Sequence, residues 1–101
     1  MNAANESANA MPLSNGKHLA TISYDGRFWE VYLEFQDDPR VPKSFRGLLC
    51  FSPAASDGPQ LALRTTTILI EDSHEMVVSK AQAFQDFQLQ SLLRSVLPDP
   101  E

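Results

Sequence analysis

With 101 residues, of which 43% are apolar and 21% charged, the chain has room for a single globular domain around one core. Its net charge of -5 disfavours nucleic acid, and its single cysteine, Cys50, excludes an internal disulfide and a cysteine-based metal cluster. No apolar run approaches the ~20 residues of a membrane span, and no signal-peptide pattern is visible. We therefore expect a cytoplasmic protein with no nucleic acid, membrane or metal partner.

The domain is predicted to occupy residues 17–98. Residues 1–16 are rich in Asn, Ala and Ser without periodicity, which predicts a disordered tail, and the sequence leaves open whether the start is Met1 or Met11. Residues 99–101 form a second short tail.

The first structured element predicted is a β-hairpin around Asp25-Gly26, the residue pair typical of a two-residue type I′ turn. This turn sets Tyr24 opposite Arg27 and Ile22 opposite Trp29, and opposed residues share a face of the sheet. The face expected to be buried then consists of Ala20, Ile22, Tyr24, Trp29, Val31, Leu33 and Phe35. The register set by the turn therefore agrees with the register set by burial.

Two further strands follow, separated by loops. Residues 36–44 contain Pro39 and Pro42 and are predicted to be a loop, after which residues 45–52 form a strand that is apolar on both faces. A second loop, 53–60, precedes a long strand at 61–72. Short connections favour a meander in the order 1-2-3-4, although strand 4 beside strand 1 is also compatible with the pattern.

The C-terminal part of the domain is predicted to be one long helix. Asp72 and Glu75 have the spacing of a capping box, and the helical pattern runs from about Ser73 to Leu97, before Pro98. Its apolar arc is wider than the ~100° of an ordinary surface helix. The predicted fold class is α+β: a four-stranded antiparallel β-meander with one long C-terminal helix packed on one face.

Candidate site residues are few. Arg40, Lys43 and Arg46 lie around the first loop and could hold one anion, such as a partner's carboxylate, although a solvated basic loop explains them equally well. The pair Asp37-Asp38 lacks the spacing of a calcium loop. The two histidines, His18 and His74, are interpreted as solvated rather than as partners of Cys50. No catalytic constellation or cofactor motif is visible, so we expect a protein that is not an enzyme and binds no cofactor.

The surplus of apolar residues suggests an interaction with another protein. A sheet with one helix needs a single apolar face, yet both faces of the predicted strands carry large apolar side chains, which predicts a homodimer. Two alternative interfaces are predicted: the sheet face that the helix leaves open, with Phe28 and Tyr32, or the last turns of the helix, with Leu89, Leu93 and Val96.

Two functional hypotheses follow. The first is a small non-enzymatic protein that acts through protein–protein interaction as a homodimer. The alternative is a small-molecule binding or enzymatic domain with a pocket between helix and sheet, rimmed by loops 36–44 and 53–60.

Overall fold

The computed structural model, described for residues 16–54 and 62–98, is an α+β fold in which two helices cover one antiparallel sheet. The predicted tails, apart from Gly16, and most of loop 53–60 lie outside the described residues. The described strands and helices, in chain order, are β1 (Lys17–Tyr24), β2 (Arg27–Phe35), β3 (Phe45–Pro53), β4 (Leu63–Arg64), β5 (Leu69–Glu71), α1 (His74–Gln82) and α2 (Asp86–Val96).

The first hairpin has the predicted turn and register. Asp25 and Gly26 have positive φ angles of 55° and 78°, as a type I′ turn requires, and Ile22 lies opposite Trp29. The register shifts between His18 and Ala20, so β1 contains a bulge near its N-terminal end. The alternation predicted from the sequence is therefore confirmed over most of the hairpin.

The sheet follows the predicted meander, but the predicted fourth strand is broken. Both β4 and β5 pair with β3: Cys50 lies opposite Arg64, and Gly47 lies opposite Leu69. Gly47 and Cys50 are three residues apart on β3, whereas their partners Arg64 and Leu69 are five residues apart, so two extra residues loop out between β4 and β5. Thr65 begins this irregular stretch, where its Oγ1 accepts a 3.1 Å hydrogen bond from the backbone N–H of Leu49.

The prediction of one long helix is wrong, because the chain forms two helices with a break between Gln82 and Asp86. Gln85 is extended (φ −92°, ψ 162°) and forms a capping box with Gln88, which starts α2. The cap of α1 is Ser73, whose Oγ accepts a hydrogen bond from the N–H of Met76. Each helix packs its own apolar face against the core, which accounts for the wide apolar arc predicted for a single helix.

The core lies between the helices and the sheet. Its members with no exposed surface include Val31, Leu33, Leu49, Phe51, Val77 and Leu93. Close packing of α1 is possible because β3 has Gly47 at the contact, where a Cβ atom would lie 2.9 Å from side-chain atoms of both Leu33 and Val77. The described part of the layer between the helices and the sheet is therefore filled with packed side chains.

The face of the sheet that points away from the helices, here called the open face, exposes less apolar surface than predicted. Leu48 and Cys50 of β3 belong to it, and both are buried. Phe28 and Ile70 remain exposed on it, but they stand on β2 and β5, at opposite ends of the sheet. The exposed apolar patch expected on this face is thus reduced to separate side chains.

Candidate functional site

Loop 36–44 carries the three predicted anion-binding residues, and the structure shows what each of them contacts. Arg40 forms a bidentate ion pair with Asp38, in which its Nε donates to Oδ1 and its Nη2 donates to Oδ2, each at 3.1 Å. The bidentate hydrogen bonds from Arg40 lower the pKa of Asp38, so this carboxylate is ionised at neutral pH. The charge of Arg40 is therefore already engaged within the loop.

Arg46 and Lys43 differ in their partners. The backbone N–H of Arg46 donates to Asp37 Oδ1 at 2.9 Å, and its side-chain Nε donates to Ser44 Oγ at 3.3 Å. Lys43 is exposed, with φ at +61°, and its ammonium makes no ion pair with another described residue. A positive φ is uncommon for lysine and costs of the order of 1 kcal/mol, and such strained residues cluster at functional sites. Neither the Lys43 ammonium nor the Arg46 guanidinium pairs with a carboxylate of a described residue, and Lys43 is the more exposed of the two.

The base of the loop is joined to the first turn of α1 by a histidine–carboxylate pair. Nε2 of His74 lies 2.6 Å from Oδ2 of Asp37, while the other oxygen of Asp37 accepts the N–H of Arg46. The N–H of Arg46, with His74 as the second donor, lowers the pKa of Asp37. Because the carboxylate is ionised, Nε2 of His74 must carry the proton of this hydrogen bond. Asp37 thus connects the loop, β3 and α1.

Two phenylalanine rings flank the imidazole of His74. The ring centroids of Phe35 and Phe45 lie 4.4 Å and 4.7 Å from that of His74, with interplanar angles of 53° and 69°. Phe45 is half-buried, whereas Phe35 keeps 41% of its surface exposed and the side chain of His74 keeps 50%. We call this cluster of Phe35, Phe45 and His74 the aromatic corner.

Sequence reasoning did not find the aromatic corner. The sequence predicts a solvated His74 and offers Asp37 only as a candidate metal ligand. Asp37 and His74 are 37 positions apart, and no local spacing links them. The available signal was indirect: Phe35 and Phe45 bracket loop 36–44, so a short loop must bring the two rings to the same end of the sheet.

A second histidine–carboxylate pair lies on the open face. Oε1 of Glu30 is 2.6 Å from Nε2 of His18 and accepts the hydroxyl of Thr21 at 2.6 Å. The Thr21 hydroxyl is the largest cause of the lowered pKa of Glu30. The ring of His18 also meets Tyr32 edge-on, with centroids 5.3 Å apart. This cluster is polar and internally satisfied, which makes it a weaker candidate for a contact surface than the aromatic corner.

The predicted interface residues are divided between surface and core. Phe28 is the most exposed of them, at 64%, and Tyr32 and Val96 are half-buried. Leu89 and Leu93 are core residues that face the sheet of their own chain, so in this fold they are not available to a partner. Two of the three residues predicted for the helical interface therefore lie in the core, whereas both residues predicted for the sheet face lie on that face.

Cys50 cannot form a nucleophilic pair with either histidine in this arrangement. Its side chain is fully buried, and Tyr32 separates it from His18 in the strand register. Two strand spacings of ~4.8 Å put the two backbones roughly 10 Å apart. His74 is engaged with Asp37 and packs on Phe45, which is five residues from Cys50 along β3.

Over residues 16–54 and 62–98, no group of three or more His, Cys, Asp and Glu side chains could hold a metal ion. Neither described helix has the length and apolar character needed to cross a bilayer. Comparison with known proteins found no match to a protein-family model, to a curated protein or to a solved structure.

Proposed function

We propose that this chain is a non-enzymatic protein-binding module and that the aromatic corner, with loop 36–44, is its contact surface. The observation that carries the proposal is the partly exposed stack of Phe35 and His74, held in place by the hydrogen bond from His74 to Asp37. Aromatic side chains dominate the binding energy of protein interfaces, because each offers a large contact area at a small cost in conformational entropy.

The corner is preorganised for such a contact. The ring of His74 is held by Asp37 on one edge and packs against Phe35 and Phe45, so little rotamer freedom remains to be lost on binding. Loop 36–44 is also closed at its base, where the N–H of Gln36 donates to the carbonyl of Arg46 at 2.9 Å. A rigid aromatic surface beside an ordered loop favours binding without a large rearrangement.

The charges around the corner indicate what the partner presents. Residues 36–46 contain Arg40, Lys43 and Arg46 against Asp37 and Asp38, a local charge of +1 in a chain whose net charge is -5. Since Arg40 is engaged with Asp38 and Arg46 is half-buried, Lys43 supplies the exposed cation. The complementary partner segment has a large apolar or aromatic side chain to pack on Phe35 and a carboxylate to reach Lys43.

A pull-down from the native host with matched variants tests this proposal. Phe35→Ser and Lys43→Glu should each reduce the capture of the same partner, because one removes ring contact area and the other reverses the available charge. Phe28→Ser is the matched control, since Phe28 is more exposed than Phe35 but lies on the open face. Capture that is lost with Phe28→Ser and kept with Phe35→Ser would contradict the proposed site.

A further inference from the structure

The outer edge of β1 has backbone groups that point away from the sheet. In a two-residue hairpin the residues that flank the turn, Tyr24 and Arg27, form a hydrogen-bonded pair, and bonded and non-bonded pairs then alternate along the strands. The N–H and C=O groups of Ser23 and Thr21 therefore face outward. Two observations agree with this assignment. Phe28 lies opposite Ser23, and its carbonyl points away from β1, where it accepts a hydrogen bond from the N–H of Ala54. The side-chain amide of Gln90, in α2, donates to the carbonyl of Ser23 at 2.8 Å.

This edge is longer and more regular than the opposite edge of the sheet. The far edge consists of the two- and three-residue strands β4 and β5 with an irregular stretch between them, a form that resists pairing with other chains. By contrast, β1 has eight residues. Among the described residues, the side chain of Gln90 is the only group hydrogen-bonded to the outward side of β1.

We propose that a second copy of this chain pairs with the outer edge of β1, antiparallel and about a two-fold axis at Thr21. A two-fold axis there lets each Thr21 exchange both backbone hydrogen bonds with its symmetry mate, so that the two sheets become continuous. This contact is separate from the aromatic corner and does not depend on the function proposed for that site.

The position of the axis follows from Gln90 and from charge. An axis at Ser23, or between Thr21 and Ser23, would place the engaged carbonyl of Ser23 in the central hydrogen-bonded pair, whereas an axis at Thr21 moves it to a flanking pair. The axis at Thr21 is also compatible with charge, because it brings Lys17 to within one residue of Asp25 of the other copy once the bulge after His18 is counted.

The helix side of the joined sheet adds apolar area to this contact. Helix α2 packs against β1 and therefore lies close to the seam in each copy. Phe87 is one turn before Gln90 on the same side of α2, and 62% of its surface is exposed. An exposed phenylalanine beside an unpaired strand edge is buried when two such edges join.

The decisive variant removes one outward donor without disturbing the hairpin. Thr21→Pro deletes the outward N–H, and the ladder to β2 is preserved because an edge strand tolerates proline where the missing N–H faces outward. Thr21→Val is the matched control, since it also loses the hydroxyl bonded to Glu30 but keeps the backbone donor. We expect the wild type and Thr21→Val to show twice the 11.2 kDa chain mass by light scattering, and Thr21→Pro to show the single-chain mass.

Hydrogen exchange of the wild type gives a second measurement that does not depend on a variant folding. The amide of Thr21 should exchange more slowly as the protein concentration rises from micromolar to millimolar. A wild-type mass of 11.2 kDa with an exchange rate independent of concentration would overturn the proposal. A folded Thr21→Pro variant with the doubled mass would also overturn it, and a loss of dimer in Phe35→Ser would place the contact at the aromatic corner instead.

Discussion

Asp37 and His74 are 37 positions apart in the chain, and their side chains meet at 2.6 Å at the end of the sheet. This hydrogen bond connects the loop after β2 to the first turn of α1. The other carboxylate oxygen of Asp37 accepts a hydrogen bond from the backbone N–H of Arg46 and so connects the loop to β3. The ring of His74 is thereby held between Phe35 and Phe45, with part of the stack open to solvent.

The pair makes stability depend on pH at the acid end. Because folding lowers the pKa of Asp37 from its ordinary value of 3.8, the stabilisation is complete above that value and is lost as the pH falls through the lower folded pKa. Asp37→Asn keeps an acceptor oxygen but does not titrate. We expect it to cost about 0.5 kcal/mol at pH 7, a small value because the pair is partly exposed and screened.

Thermal melts of the wild type and Asp37→Asn from pH 7 to pH 3 check this prediction. The difference between the two melting temperatures should narrow below pH 4. A difference that stays constant over the whole range would mean that Asp37 does not contribute through its charge.

The two-residue turn, the register of the hairpin and the order of the strands could be predicted, because each depends on local turn chemistry and on alternation of apolar residues. The break between the helices could not, since the residues that form it, Ala83 to Gln85, include neither glycine nor proline, and glutamine is not a favoured N-cap. The aromatic corner depends on contacts between distant segments. Contacts between distant segments produce no pattern among neighbouring residues from which they could be predicted.

The cap of α1 gives a direct comparison between neighbouring residues. Ser73→Ala should lower the free energy of unfolding by ~1 kcal/mol, because its hydroxyl satisfies the N–H of Met76. Asp72→Ala should have a smaller effect, since Asp72 precedes the cap position. Urea denaturation of both variants measures the two values, and a larger loss for Asp72→Ala would place the cap one residue earlier.

Gly47 controls how closely α1 approaches the sheet. An alanine Cβ there would meet both Leu33 and Val77 at 2.9 Å, and neither fully buried side chain has space to move, so Gly47→Ala should cost ~1–3 kcal/mol. Val77→Ala removes one of the clashing methyl groups. In a double-mutant cycle measured by urea denaturation, the combined variant should lose less stability than the sum of the two single losses. Strict additivity would argue against this contact.

Gly26 is constrained by its backbone alone. Its φ is +78°, and an added Cβ would meet nothing within 4 Å. Gly26→Val should therefore cost about 1–2 kcal/mol through backbone strain, whereas Gly26→Asn should cost less because asparagine tolerates positive φ. Equal melting temperatures for the two variants would contradict a type I′ turn.

The claim that the chain binds a protein at the aromatic corner is tested most directly by site-specific photo-crosslinking in the native host. A benzophenone amino acid at Val41, an exposed position of loop 36–44, should give one dominant crosslinked product, and Phe35→Ser in the same chain should abolish it. The same amino acid at Phe28, on the open face, is the control and should not give that product. Crosslinking to the same protein from Phe28 but not from Val41 would contradict the account.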